Sequence, residues 1–233
     1  MTLNTLEIAW QPSLAHKRSN ILVLGAEGFI GKNIEYWLED KYYLFTPTHK
    51  QLDLNSAVQV DKYFQDRYFD VVIHCASVGG RRNKPDLRRH FDINYNMFAN
   101  ILNNKEHYKY LINIGSGADR LGTWYGKSKR VIAHIIKEHK NMVNLRCFGV
   151  WGNLEAKDRF PTYCQTHDSI TIEDKMMRFI HVDDLVKIID VIIQKWPNKR
   201  EYTLGEPVKL SDFAKAINPK IKITISGQGQ DYI

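Results

Sequence analysis

The chain has 233 residues, 43% of them hydrophobic and 25% charged, enough apolar material for one good-sized core or a core with a small appended lobe. No stretch approaches the roughly 18 uninterrupted apolar residues of a membrane-spanning helix, and residues 1–19 hold no apolar segment leading to a small-residue cleavage site, so neither a membrane span nor a secretory signal is expected. The formal net charge of +7 suits polyphosphate ligands as well as nucleic acid, but no recognised nucleic-acid motif accompanies it.

In chain order, residues 1–19 combine Leu3, Leu6, Ile8 and Trp10 with a helix-breaking Pro12 and the basic His16-Lys17-Arg18, which predicts a weakly docked or mobile extension. Ile21-Leu22-Val23-Leu24 then reads as a buried strand, and it runs into Gly25-Ala26-Glu27-Gly28-Phe29-Ile30-Gly31 and a helical segment through Leu38. A strand, a glycine turn and a helix start form a dinucleotide site for mechanical reasons. Gly25 permits the tight turn, Gly28 lets a pyrophosphate approach the backbone, and Gly31 lets helix and strand pack closely. The helix start at Phe29 and Ile30 offers free N–H groups to phosphate.

Tyr42 to Thr46 is the expected second strand, closed by Pro47. NAD-selective sites place a carboxylate near this strand end for the ribose 2′-hydroxyl, whereas here Thr46, Thr48, His49 and Lys50 precede the first carboxylate, Asp53. NADP is therefore the expected cofactor, with NAD as the alternative. Asn55 is placed to cap a helix through Val58, Tyr63 and Phe64, and Phe69 to Ala76 reads as a strand of a parallel sheet.

Arg81, Arg82, Lys84, Arg88 and Arg89 then fall within nine residues against a single Asp86, as a solvated face or as phosphate contacts. A long helix is expected from Asp86 to His107, and Tyr110 to Ile114 is a strand that delivers Ser116 to the end of the sheet where ligands bind. Nine residues later come Tyr125 and, one helical turn on, Lys129. From one helix face, the ammonium can lower the phenol pKa and hold a nicotinamide ribose, while Ser116 stabilises charge on a substrate oxygen. Cys75, Cys147 and Cys164 are widely spaced in apolar surroundings, as free thiols of a reducing, cytoplasmic compartment would be. No metal ligand set is called for.

The G-x-x-G-x-x-G spacing, with the later serine and Y-x-x-x-K, resembles the extended short-chain dehydrogenase/reductase family, nearest to its nucleotide-sugar reductases and epimerases. His49-Lys50-Gln51-Leu52-Asp53-Leu54 is similar to the reductases of the GDP-fucose synthase type, where a basic residue precedes L-(D/N)-L. That resemblance implies that Asp53 and Leu54 lie near the adenine, an Asx turn or helix cap at Asp53 being the alternative. His74-Cys75-Ala76-Ser77 resembles the H-x-A strand end that runs beside the cofactor, with His74 itself a packed histidine. Asp92-Ile93-Asn94 resembles D-x-N, whose Asn positions the active-site helix and lysine; a helix-surface Asn is the alternative.

Further on, Val143 to Gly152 resembles the L-R-x-x-N-V-Y-G segment, but Gly149 replaces the Asn that contacts substrate. Arg178 to Val186 resembles R-x-F-I-H-V-D-D-L one residue out of step, which nominates Arg178 as a substrate-phosphate ligand or else a solvated arginine. The resemblance implies an α/β fold: a Rossmann-type doubly wound parallel sheet at 20–153, with a small C-terminal substrate lobe at 154–233 interleaved with it. It also implies a homodimer through the Tyr/Lys helix, where Ile132, Ile135 and Ile136 form an apolar stripe. The implied activity is NAD(P)-linked oxidoreduction or epimerisation of a nucleotide-linked sugar. Ser116-Gly117-Ala118-Asp119 lacks the T-D-E of the 4,6-dehydratases, and simple carbonyl reduction needs only what is present. The competing classes are a non-catalytic or regulatory dinucleotide-binding protein and, more remotely, a basic nucleic-acid binder.

Overall fold

The computed structural model describes residues 18–81 and 84–233. The expected extension lies outside the described residues except for Arg18 and Ser19, and so does Arg82. Six parallel strands form the central sheet: β1 (Asn20–Leu24), β2 (Tyr43–Phe45), β3 (Phe69–His74), β4 (Tyr108–Ser116), β5 (Met142–Cys147) and β9 (Glu201–Thr203), in the order β2-β1-β3-β4-β5-β9. The two-residue alternation of a strand explains how both faces are filled. Ile21, Val23, Val71, Ile73, Val143 and Leu145 face one cluster, and Leu22, Leu24, Val72, Leu111 and Met142 the other.

Helix α1 (Phe29–Leu38) brings Ile34 and Leu38, four residues apart, to the first cluster, where α6 (Val182–Gln194) joins it with Leu185, Val186, Ile189 and Ile193. The opposite face is covered by α2 (Ala57–Phe64), α3 (Arg88–Asn103) and α4 (Trp124–Lys137) through Phe64, Phe98, Ile101, Ile132 and Ile136. Each such side chain contributes roughly 1.5–3 kcal/mol by leaving water.

Beyond β5 the chain leaves the sheet at β6 (Gly149–Trp151), then forms α5 (Phe160–Thr166), β7 (Ser169–Asp174) and β8 (Met176–His181). After α6 and β9 return to the core, β10 (Glu206–Lys209), α7 (Leu210–Ile217) and β11 (Lys222–Gln228) complete a lobe. Its sheets are β10-β8-β6 and the pair β11-β7, and its core holds Ile172, Met177, Phe179, Leu210 and Phe213, with the Phe179 and Phe213 rings stacked at 3.7 Å. Lys41 and Tyr42 tie α6 to the core by donating to the Asp190 carboxylate at 2.5 and 2.6 Å.

Boundaries differ from expectation where local chemistry intervenes. The α2 N-cap is Ser56 rather than Asn55: the first helical bond runs from the Val60 N–H to Ser56 O, while Asn55 belongs to the preceding turn, its N–H donating to Asp53 Oδ1 at 2.9 Å. The long helix stops at Asn103, since Lys105 to His107 tighten into a 3-10 turn that leads into β4.

Candidate active site

Gly25 closes β1 with φ at +90°, and a Cβ there would lie 2.6 Å from the Ala76 nitrogen, so the glycine turn and the end of β3 touch backbone to backbone. The Cys75 N–H donates to Leu24 O at 2.8 Å, and Ser77 follows at the surface. At Gly31 a Cβ would meet Gly25 O at 2.3 Å, whereas at Gly28 it would meet only that carbonyl, at 3.3 Å, and otherwise face open space. No side chain caps α1, so the first-turn N–H groups at Phe29 and Ile30 are left for an anion. This cradle fits a dinucleotide pyrophosphate.

His49 and Lys50 are exposed after β2, as a 2′-phosphate site requires. Folding nevertheless brings in carboxylates that the linear sequence did not place there. Glu27 Oε2 accepts the His49 backbone N–H at 2.7 Å, and Glu35 Oε1 accepts from Thr46 Oγ1 at 2.9 Å. Asp53 forms the Asx turn with Asn55, and Leu54 is buried with its carbonyl accepting from Asn100 Nδ2 at 2.8 Å.

Asn94 is 1% exposed, which excludes the helix-surface alternative. Its Oδ1 accepts the Val78 N–H at 2.8 Å, and its Nδ2 donates to Val78 O at 3.0 Å and Ser128 Oγ at 3.1 Å. Ser128 Oγ donates in turn to Tyr125 O at 2.7 Å, so Asn94 holds the residue before Lys129 rather than the lysine itself.

Ser116 ends β4, and its Oγ accepts the Ala118 N–H at 3.2 Å, which leaves the hydroxyl hydrogen free to donate. Tyr125 stands in the first turn of α4, capped twice: Thr123 Oγ1 accepts the Gly126 N–H at 3.0 Å, and Asp86 accepts from Trp124 at 2.5 Å and Tyr125 at 3.1 Å. Lys129 is 5% exposed, its Nζ 5.6 Å from the Tyr125 ring centroid and donating to Ile114 O at 3.3 Å. Burial, reinforced by this ammonium, pushes the His74 imidazole down to about 3, so it stays neutral. Burial also pushes Cys75 and Cys147 up to about 12, against the pull of Lys129, which makes them thiols without nucleophilic character at neutral pH.

The short stretch between serine and tyrosine is clamped. Asp119 is buried, pairs with Arg146 Nε at 2.7 Å and lends its carbonyl to Arg130 Nε at 2.6 Å, which is the work of a turn residue rather than a free acid. The Phe148 ring lies against Gly117, with Tyr232 edge-on to it at 4.9 Å. Phe179 fills the space of a side chain at position 149, where a Cβ would come within 2.5 Å of its ring.

Arg178 is a correction to the solvated alternative: it is half-buried on β8, and Nη1 donates to Gly205 O at 2.7 Å. The stripe on α4 is also largely used within the chain, because Ile132 and Ile136 are buried in the core and Ile135 packs against it. Among the described residues, no group of three or more His, Cys, Asp or Glu side chains could hold a metal ion, and no helix is long and apolar enough to cross a membrane.

A model of the NAD dependent epimerase/dehydratase family matches residues 21–205. The chain belongs to this family. No curated protein matches it in sequence. Among solved structures it is similar to the GDP-mannoheptose C4 reductase of Campylobacter jejuni with NADP bound, at 16% identity and a TM-score of 0.78 over 93% of this chain and 90% of that one. A GDP-L-fucose synthetase of Naegleria fowleri bound to NADP gives 16% identity and a TM-score of 0.77, covering 97% and 86% of the two chains. The dTDP-4-dehydrorhamnose reductase of Bacillus anthracis in complex with NADP gives 18% and 0.76, covering 91% and 85%. These likenesses establish the Rossmann-type α/β fold of this family member.

Three residues of the site escaped sequence reasoning. Asp86 was one acid in a basic run, Glu27 one position between glycines, and Phe148 one apolar residue between β5 and β6. Each acts across a fold contact, and no local pattern marks it.

Proposed function

We propose that this epimerase/dehydratase family member is an NADP-dependent oxidoreductase that reduces a carbonyl on a nucleotide-linked sugar. The observation that carries the reading is Lys129: a buried ammonium 5.6 Å from the Tyr125 ring centroid, one helical turn beyond it, donating to Ile114 O on the strand that ends in Ser116. The proton-transfer logic follows from that placement. The Tyr125 hydroxyl gives its proton to the sugar oxygen, and the ammonium stabilises the phenolate left behind. Ser116 donates to the same oxygen and favours the charge that develops there. Bound at the glycine cradle, NADPH supplies the hydride. Exposed His49 and Lys50 support a 2′-phosphate, and the two reductases and the GDP-L-fucose synthetase bound to NADP at similar folds support the same cofactor and substrate class.

Reduction is favoured over dehydration because Asp119, the one acid on the Ser116 turn, is held by Arg146. A non-catalytic dinucleotide-binding role is the second reading, favoured by the Phe148 ring that lies against Gly117, the residue after Ser116, with Tyr232 edge-on to that ring. Fluorescence titration with NADPH and NADH, then NADPH consumption with a panel of nucleotide-linked keto-sugars and binding of an unrelated oligonucleotide, separates the readings. Tighter NADPH binding with turnover of one keto-sugar is expected. NADPH binding with no turnover across the panel would favour the non-catalytic role, and oligonucleotide binding alone would overturn both.

A further inference from the structure

The segment joining β3 to α3 and the first turn of α3 carry Arg81, Lys84, Arg88 and Arg89 against one carboxylate, Asp86, and that carboxylate is committed elsewhere. Its oxygens accept from Trp124 and Tyr125 at the start of α4, at 2.5 and 3.1 Å. The Arg88 guanidinium lies over the Trp124 ring at 5.7 Å, and the Lys127 ammonium at 4.2 Å. Among the described residues Arg81, Lys84 and Arg89 are exposed and make no ion pair. Arg88 and Arg89 also open α3, where the helix dipole disfavours a cation. The positive charge is therefore gathered without internal compensation.

Position gives that charge a use. Asn94 holds the start of the segment at Val78, and Asp86 holds its end against the backbone of Trp124 and Tyr125, so both described ends lie beside the first turn of α4. Gly80, at φ +74°, packs so closely that a Cβ on it would sit 2.8 Å from Cε1 and Cζ of Tyr125, the hydroxyl-bearing end of the ring. Arg81 is the next residue. Arg178, the phosphate ligand nominated by resemblance, has one guanidinium donor taken by Gly205 O.

We propose that Arg81 and Lys84 bind the diphosphate linking nucleoside to sugar in the substrate. The proposal rests on the nucleotide-linked-sugar reading above. A sugar whose carbonyl oxygen meets the Tyr125 hydroxyl carries its anomeric diphosphate about one ring away, within the span of an arginine rooted beside Gly80. Guanidinium and ammonium donors then form charge-assisted hydrogen bonds with phosphate oxygens.

The test is titration of GDP, UDP and dTDP into the unmodified protein and into Arg81→Ala/Lys84→Ala, each saturated with NADPH, with a separate NADPH titration of both. Arg81→Gln/Lys84→Gln repeats the charge loss with longer side chains, and Lys105→Ala/Lys140→Ala, at remote exposed sites, controls for net charge. Loss of charge-assisted contacts predicts a nucleoside diphosphate Kd raised by about tenfold or more in both Arg81/Lys84 variants. NADPH affinity and the remote control should stay within about twofold of the unmodified protein. Unchanged diphosphate affinity would overturn the loop assignment alone, and so would a parallel loss of NADPH affinity, which would give the loop to the cofactor. Binding of NADPH but of none of the three diphosphates by the unmodified protein would overturn the assignment together with the substrate class.

Discussion

At Lys129 a charge has been taken out of water with one backbone carbonyl, Ile114 O, as its hydrogen-bond acceptor. A cation so placed is costly to the fold and useful to the chemistry. Lys129→Met, which keeps most of the volume, should therefore unfold at the same or a higher temperature than the unmodified protein while cofactor affinity and turnover both fall, as differential scanning fluorimetry and steady-state kinetics would show. A lower melting temperature with intact turnover would contradict it. Glu27 is the other decisive residue. Its carboxylate, held by the His49 N–H at 2.7 Å, lies where a 2′-phosphate is expected and opposes the attraction of His49 and Lys50. Glu27→Gln should favour NADPH over NADH by about fivefold to tenfold relative to the unmodified protein, in paired fluorescence titrations. Unchanged selectivity would place the 2′-phosphate elsewhere. The proposed proton donor and its lysine were legible because Tyr125 and Lys129 sit one turn apart on one helix, a local relation. It hid Glu27 because that carboxylate reaches His49 only once β1 and β2 pair side by side.

At the scale of elements, two contacts decide whether the site is held in register. Asn94 joins α3 to the β3 loop and to α4 through three hydrogen bonds, so Asn94→Ala leaves the Val78 N–H and carbonyl without their partner. The expected loss is about 1–3 kcal/mol in urea unfolding, with a reduced kcat and a nearly unchanged NADPH Kd; an unaltered kcat would make Asn94 purely structural. Gly149 is the second. Restoring the Asn usual in related segments would drive a side chain into Phe179, 2.5 Å from the Cβ position. Gly149→Asn should therefore destabilise the protein by about 1–3 kcal/mol rather than improve substrate binding. Element types in the nucleotide-binding half were legible because buried parallel strands are continuous apolar runs and amphipathic helices follow them. The lobe was less so: β6 and β10 are three and four residues long, too short for a periodicity, and their pairing with β8 is a long-range choice.

The whole molecule is organised as one parallel sheet whose two faces are covered by α1 and α6 on one side and α2, α3 and α4 on the other. That arrangement buries His74 at the end of β3, with a consequence for stability against pH. The folded chain keeps the imidazole neutral down to about pH 3, because burial and Lys129 disfavour its charge, whereas the unfolded chain protonates it near the ordinary value of 6.5. Stability from this residue is thus complete above about pH 6.5 and is lost as pH falls below it, at up to about 1.4 kcal/mol per pH unit for one proton. Comparing urea midpoints at pH 7.5 and 5.0, His74→Gln should lose less stability on acidification than the unmodified protein. Equal losses would show that His74 protonates in the folded state. The central claim, that the fold holds Tyr125 as the proton donor of a reductase, is tested most directly by following NADPH oxidation with a nucleotide-linked keto-sugar in the unmodified and Tyr125→Phe proteins, with NADPH affinity measured in both. Removal of the donor predicts a fall in kcat of about a hundredfold or more at nearly unchanged NADPH affinity; a Tyr125→Phe protein that keeps its full rate would contradict the mechanism.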